Sequence, residues 1–238
     1  YNALTDLQKQ LVDNYNELVT AENELHRLKK SSHDEIYKKA GDYLVEWSKE
    51  QIPTVASVGG EWMIIGLVRS GRNVPDGYYE NVLNYVKENI NEQEQLSRSR
   101  STDNSRVILA LTALGCDVTD VGGHNLLMGL TDLSYIKKQG INGLAWALIA
   151  FDSHDYEIPN NHNAAEQATR EKLVAYILEA QLSDGGWSIS GDTYDSDMTA
   201  MAIQALVPYY STNKEVKAAV DQALQLLSKV QNADGSFS

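Results

Sequence analysis

The sequence predicts an all-α fold with its helices in two layers, and three observations carry that expectation. Only four prolines and two phenylalanines occur among 238 residues, against many Ala, Leu, Glu, Asn and Gln, which favours helix over sheet. From Asp34 onward, amphipathic segments alternate with shorter ones that are apolar nearly all round. Finally, Gln181-x-x-Asp184-Gly185-Gly186-Trp187 returns fifty residues later as Gln231-x-x-Asp234-Gly235-Ser236-Phe237, and Gln139-Gly140 closes an earlier copy. A repeat of this kind makes the chain a series of stacked supersecondary units.

In chain order, residues 1–30 come first and differ from the rest: charged, glycine-free and helical in pattern. Thr5 is placed as an N-cap before Leu7, Leu11 and Val12. Asn14 and Asn16 flank Tyr15 at a break, and Leu18, Ala21, Glu22 and Leu25 form a second stripe. The expectation is an N-terminal helical hairpin over 1–30, separate from a domain over 34–238.

In that domain the amphipathic segments are 35–49, 77–94, 126–138, 164–182 and 214–231, with apolar residues at three- and four-residue steps such as Leu173, Tyr176, Ile177 and Ala180. The apolar segments are 62–69, 106–114, 144–151 and 199–208. Aligned without gaps, they place Gly66, Ala110, Ala147 and Ala202 in one column, where small side chains allow close helix approach. A column ahead of it holds Glu61, Ser105, Asn142 and Asp197, polar residues suited to free N–H groups at helix starts. Two residues earlier stand Gly59, Asp103, Gly140 and Asp195. The polar starts of the inner helices are therefore expected to gather at one mouth. Trp62, Arg106, Gly143 and Met198, one step past the caps, are the expected first contacts of a ligand.

Composition excludes several classes. A formal charge of −13 leaves no basic stripe for nucleic acid and repels anionic lipid. No apolar run approaches the ~18 residues of a membrane span, so direct membrane insertion is not expected. The single cysteine, Cys116, rules out a disulfide framework and any cysteine-cluster metal site, and it follows an apolar run as a small buried thiol would.

Two resemblances add to this reading. Residues 1–25, with their Tyr-Asn-Ala-Leu-Thr opening, Gln-Lys-x-Leu-Val helix and Leu-Val-x-Ala-Glu close, resemble the last two helices of small three-helix linker repeats in Gram-positive bacterial surface proteins. That resemblance implies an extracellular, wall-associated parent protein. The segment Gln-x-x-Asp-Gly-Gly-Trp, followed by Asp195-Ser196-Asp197-Met198-Thr199-Ala200, resembles the repeat of terpenoid cyclases and protein prenyltransferases. It implies an α/α toroid over 34–238, a ring of inner helices inside a ring of outer ones. Four outer–inner pairs and a fifth outer helix stand against the six pairs of a full toroid, so an incomplete ring, cut at its C-terminal end or open, is expected. Cobalamin carriers and complement-type thioester domains use the same ring, but the wording is most similar to cyclase-like domains of large Gram-positive surface proteins.

The resemblance also sharpens the candidate residues. Class II terpene cyclases carry Asp-x-Asp-Asp-Thr-Ala, whose middle Asp is held protonated and donates to an alkene or epoxide, a task for clustered carboxylates in a low-dielectric cavity. Asp195 and Asp197 keep the first two positions and Met198 replaces the third, which weakens the acid; the alternative role is capping the following helix. Asp184, Asp192, Asp195 and Asp197 lack the spacing of a helix–loop–helix calcium site. Cys116 and His124 form no zinc triad of the prenyltransferase kind, and Cys116 is followed by Asp117-Val118-Thr119 rather than by a thioester partner. Trp187 is expected as a wedge between outer helices, and Trp146 as core or cavity wall.

The functional expectation is a non-catalytic binding or adhesion module of a bacterial cell-surface protein, with no metal and no cofactor. Its partner is a host glycan, a protein or a small apolar ligand. The ligand-binding candidates are Glu61, Trp62, Ser105, Arg106, Asn142, Trp146, Asp195 and Asp197. The alternatives are a terpenoid-cyclase-like enzyme using Asp195 and Asp197 as general acid, and a structural spacer.

Overall fold

The computed structural model describes residues 15–50, 52–57 and 59–237. Among them the fold is all-α, with no strand and nine α-helices: α1 Tyr15–Glu50, α2 Glu61–Arg69, α3 Tyr78–Asn89, α4 Ser101–Leu114, α5 Leu133–Ile136, α6 Gly140–Asp152, α7 Arg170–Glu179, α8 Ser196–Leu206 and α9 Lys214–Val230. The short apolar helices pack one upon the next, α2 on α4, α4 on α6 and α6 on α8, while α7 lies on α6 and α9 on α8 and α7. Their buried side chains, including Ile64, Ile108, Leu111, Leu148, Phe151, Trp187 and Leu206, belong to one continuous core. Helices α4 and α6 are covered on nearly every side, whereas α2 and α8 keep residues open to water, Trp62 on α2 and Ala200 and Gln204 on α8.

Helix α1 unites what the sequence separates. The second helix of the expected hairpin, the expected boundary at 31–33 and the first amphipathic segment form one 36-residue helix. The hairpin's first helix lies outside the described residues. The C-terminal half of α1 docks on α2 and the turn after it. The Tyr37 hydroxyl donates to Arg69 O at 2.9 Å. Arg72 donates to Asp42 Oδ1 at 2.8 Å and to Lys38 O at 2.6 Å. Gly41 makes room for this guanidinium, since a Cβ there would meet Arg72.

Element boundaries depart from expectation at three places, each for a local reason. Helix α4 starts at Ser101, five residues before the apolar run, because Ser101 to Ser105 are all buried and their polar atoms have partners. The expected outer helix over 126–138 is instead a 3-10 turn at Met128–Leu130, the four-residue α5 and a second 3-10 turn at Lys137–Gln139. Asn125 and Asp132 hydrogen-bond to Leu127 N and Ser134 N and so offer the backbone an alternative to a continuous helix. The outer helix expected from residue 164 begins only at Arg170, where Thr169 caps it through Lys172 N. The loop before it is held by Gln167, which accepts from Asn161 N at 2.8 Å.

The repeated turn is the strongest organising feature. Leu182 N donates to Gly186 O and Asn232 N to Ser236 O, both at 2.8 Å, and Gly185 N and Gly235 N close the inner turns at 2.9 Å. Gln181 and Gln231 donate to the Gly185 and Gly235 carbonyls at 2.8 and 2.9 Å. Both glycines have positive φ, +93° and +87°, which explains the residue type. A third copy, hidden in the sequence, occupies 91–96: Asn91 N donates to Gln95 O and Glu94 N to Asn91 O, with Glu94 at φ +59°. By contrast, the Gln139-Gly140 segment does not adopt this geometry. Gln139 instead accepts from Thr102 N at 3.0 Å and from the Ser101 hydroxyl at 3.2 Å, which caps the neighbouring helix α4.

After each of the copies at 91–96 and 181–187 comes an apolar residue whose amide is held by the next apolar helix. Leu96 N donates to Asn104 Oδ1 at 2.9 Å, and Trp187 N to Thr199 Oγ1 at 3.0 Å. Asn104 and Thr199 are each the fourth residue of their helix, α4 and α8. This corrects the gap-free alignment of the sequence by three residues, because that alignment pairs Asn104 with Ser196. Accordingly Glu61, Ser105, Asn142 and Asp197 stand first, fifth, third and second in their helices rather than in one column.

Candidate functional site

The starts of α2 and α4 bring together a charged cluster that is almost wholly out of water. Glu61, the first residue of α2, and Asp103, the third of α4, both have fully buried side chains. Asp103 is clamped by Arg106 Nη2 at 2.7 Å and Arg100 Nη2 at 2.8 Å, pairs that the i,i+3 spacing on one helix sets up. Arg106 is 18% exposed and Arg100 60%, so the inner pair is the stronger constraint. Glu61 Oε1 accepts from Ala56 N at 2.6 Å and so ties the connecting turn to the start of α2. Burial raises the Glu61 carboxyl above its ordinary range, and its backbone hydrogen bonds and Arg106 oppose that only in part. Tyr78 of α3 is pushed up too, by burial first and then by the Glu61 charge. Among the described residues, Glu61 Oε2, the Tyr78 hydroxyl and Arg106 Nε are buried with no hydrogen bond of regular geometry, although the Tyr78 hydroxyl faces the Glu61 carboxyl.

A carboxyl whose folded pKa is raised contributes stability that is complete below its unfolded pKa and is lost as pH climbs through the folded value. Glu61→Gln keeps the acceptor for Ala56 N and carries no charge. The variant is therefore expected to melt above the wild type at pH 7, with the difference shrinking toward zero at pH 4. Melting curves across that range check it; a variant less stable at pH 7 would mean that the Arg106 attraction outweighs burial.

Beside this cluster lies an aromatic pair. Trp62, the residue after Glu61, and Trp146 of α6 have ring centroids 4.9 Å apart at 51°. Trp62 is 39% exposed and Trp146 half-buried. Helices α2 and α6 both flank α4, and the two rings meet across it.

The structure thus brings Glu61, Trp62, Arg106 and Trp146 to neighbouring positions on three successive helices. Other candidates fall elsewhere. Ser105 is buried and its hydroxyl turns back to Ser101 O at 3.3 Å, so it faces its own helix. Asn142 is half-buried on α6. Gly143 and Met198, expected among the first ligand contacts, are buried; a Cβ at Gly143 would run into Ile136 O.

Asp195 and Asp197 are both exposed, in an open hollow of about 430 Å³ shared with Thr193, Tyr194, Ser196 and Phe237. Asp195 is the N-cap of α8 and accepts from Met198 N at 2.7 Å. Asp184 accepts from Gly186 N and Tyr194 N, which holds the turn. Among the described residues no three His, Cys, Asp or Glu side chains converge on a metal position, and no helix is long and apolar enough to cross a membrane. Cys116 is half-buried, and burial pushes its thiol up, away from the reactive thiolate.

Sequence reasoning missed Asp103 as the centre of the cluster, Tyr78 as its lid and Asn104 as a structural pin. The sequence placed Asp103 and Ser105 only among the polar residues at the inner-helix starts, and the signal for the ion cluster was the i,i+3 spacing of Arg100, Asp103 and Arg106. Comparison of the chain with family models, with curated proteins and with solved structures gave no match.

Proposed function

We propose that the chain is a non-catalytic binding module, an arc of an α/α toroid from a bacterial surface protein. In this reading the ligand rests on the Trp62–Trp146 pair, and the carrying observation is that pair, with Trp62 exposed at 39% beside a rigid, buried ion cluster. An open indole backed by a second one offers a flat apolar surface with an N–H at its edge, the chemistry that suits a sugar ring or a small apolar molecule. The Asp103–Arg106 clamp fixes the helix starts around it, which lowers the ordering cost of binding. The contact of Trp62 with Trp146 across α4 supports the curvature an arc needs. The exposure of Asp195 and Asp197, and the capping role of Asp195, favour binding over acid catalysis. Extracellular location and an adhesive role rest on the resemblance of residues 1–25 and are part of the proposal.

A melting screen with oligosaccharides, sterols and cobinamides tests this, because a ligand present at a hundred times its Kd stabilises the folded state by about 2.7 kcal/mol. Trp62→Ala is expected to leave the unliganded melting temperature within a few degrees and to abolish the ligand-induced shift. A shift that survives in the variant, or turnover of a polyprene substrate by the wild type, would contradict the reading.

A further inference from the structure

We propose that the chain pairs with a second copy of itself through an exposed apolar stripe on α1, the two helices lying antiparallel. The inference rests on α1 and does not depend on the tryptophan pair. One face of α1 is already committed to its own domain. Gly41 and Ser48 are buried there, the Tyr37 hydroxyl donates to Arg69 O, and the Leu44 side chain reaches Gly66 of α2. Ile36, Ala40, Tyr43 and Trp47 fall on another face, about a third of a turn round the helix. That face is open: Ile36 is 63% exposed, Tyr43 68% and Trp47 38%, with Ala40 exposed between them. Their steps of four, three and four residues are those of a coiled-coil seam. Large apolar side chains that lie singly in water need no explanation, but a contiguous row of them marks an interaction surface.

The residues beside the stripe select both the occupant and its direction. An antiparallel pair centred between Gly41 and Asp42 sets Ile36 against Trp47 of the second copy. Ale40 is not needed to yield: as the smallest seam residue, Ala40 makes room for Tyr43 of the second copy. On one flank Lys39 then meets Glu46 of the second copy, and the two-fold axis makes that pair occur twice. On the other flank Tyr37 meets Leu44, two side chains with apolar bodies. Lys39 and Glu46 are both exposed, and Glu46 is held by Lys49 of its own helix at 2.6 Å on the surface. A parallel pair would instead set Lys39 against Leu44 and leave the two charges unmatched. The seam is thus its own complement when turned end for end. The expected first helix of the hairpin, from its cap at Thr5 to Asn14, spans about 15 Å, whereas Ile36 lies about 31 Å along α1 from Tyr15. Folded back, that helix stops short of the stripe. From Ile36 to Trp47 the seam is only about 17 Å long, which fits a dimer that dissociates on dilution rather than an obligate one.

Sedimentation of the full chain over a range of concentrations tests the pairing, with four variants beside the wild type: Tyr43→Glu, Lys39→Glu, Glu46→Lys and the double reversal Lys39→Glu with Glu46→Lys. All three positions are exposed, so the variants are expected to melt with the wild type at low concentration, which separates loss of pairing from loss of fold. The wild type is expected to pass from monomer to dimer as concentration rises, and Tyr43→Glu to stay monomeric. Each single reversal places like charges together twice and is expected to weaken the dimer on the order of tenfold. The double reversal is expected to restore wild-type association, a rescue that only the Lys39–Glu46 contact between copies produces. Three results overturn the proposal. A wild type that stays monomeric at every soluble concentration would leave the stripe to a different protein or to another segment of the chain. A dimer indifferent to Tyr43→Glu would place the contact elsewhere, and a double reversal no tighter than the single ones would exclude the antiparallel register.

Discussion

Asn104→Ala is expected to cost about 3–5 kcal/mol, because each buried polar group left unpaired costs about 1–3 kcal/mol and a cavity adds to it. The Asn104 side chain is buried and spends its whole amide on distant backbone. It accepts from Leu96 N at 2.9 Å and donates to Glu94 O at 2.8 Å and to Leu126 O at 3.1 Å. Gly129 lies directly against the amide, and a Cβ there would meet both Asn104 and Glu94 O. Asn104→Asp retains the acceptor for Leu96 and loses both donors, so it is expected to destabilise as well. Denaturant unfolding checks both variants. A loss below about 1 kcal/mol, the net worth of a single ordinary hydrogen bond, would mean that the turn at 91–96 does not depend on this pin.

Trp187→Ala has the second large effect, about 3–5 kcal/mol for removal of a buried indole. The ring is fully buried, its Nε1–H donates to Ile177 O at 2.7 Å, and its amide is held by Thr199. Trp187→Phe keeps most of the apolar surface and leaves Ile177 O unpaired, so a smaller cost of about 1–3 kcal/mol is expected. Against a total stability of about 5–15 kcal/mol, the alanine variant should be largely unfolded at elevated temperature. By contrast, Phe237→Ala should cost little, because Phe237 is 43% exposed. Two melting curves check that contrast.

The all-α class was legible because hydrophobic periodicity reports burial along a helix. The fate of individual residues was less so. Helix α4 hides its first turn in Ser101-Thr102-Asp103-Asn104-Ser105, where polar residues are buried because Gln139, Leu96 and two arginines meet them; the sequence showed these residues as polar but not that they are buried. The third turn copy escaped detection because Glu94 takes the positive-φ position that glycine marks in the other two, and Asn104 replaces the glutamine clasp by donating to Glu94 O. Propensity also misled at 126–138, where Asx hydrogen bonds cut a helical pattern into short pieces. At the candidate site, Glu61, Trp62, Arg106 and Trp146 were legible as polar or aromatic residues near helix starts. What joined them was helix register, and a gap-free alignment gives that only to within a turn.

The Asp103 carboxylate is held by two guanidinium groups, and Glu61 Oε1 accepts from the Ala56 amide. Under the proposed binding function the ligand rests on the indoles beside this cluster. Selectivity at such a surface comes from shape and from the edge N–H groups, which argues for a ligand presenting a broad apolar face.

The most direct test of the binding-site assignment uses the four tryptophans of the chain. With nitrogen-labelled indoles, each Trp Nε1–H gives one signal, and the stabilising compound from the melting screen is titrated in. The account predicts that the Trp62 and Trp146 signals move together and saturably while that of Trp187, locked to Ile177, stays in place. Movement of Trp187 alone, or binding that leaves all four indoles unmoved, would contradict it.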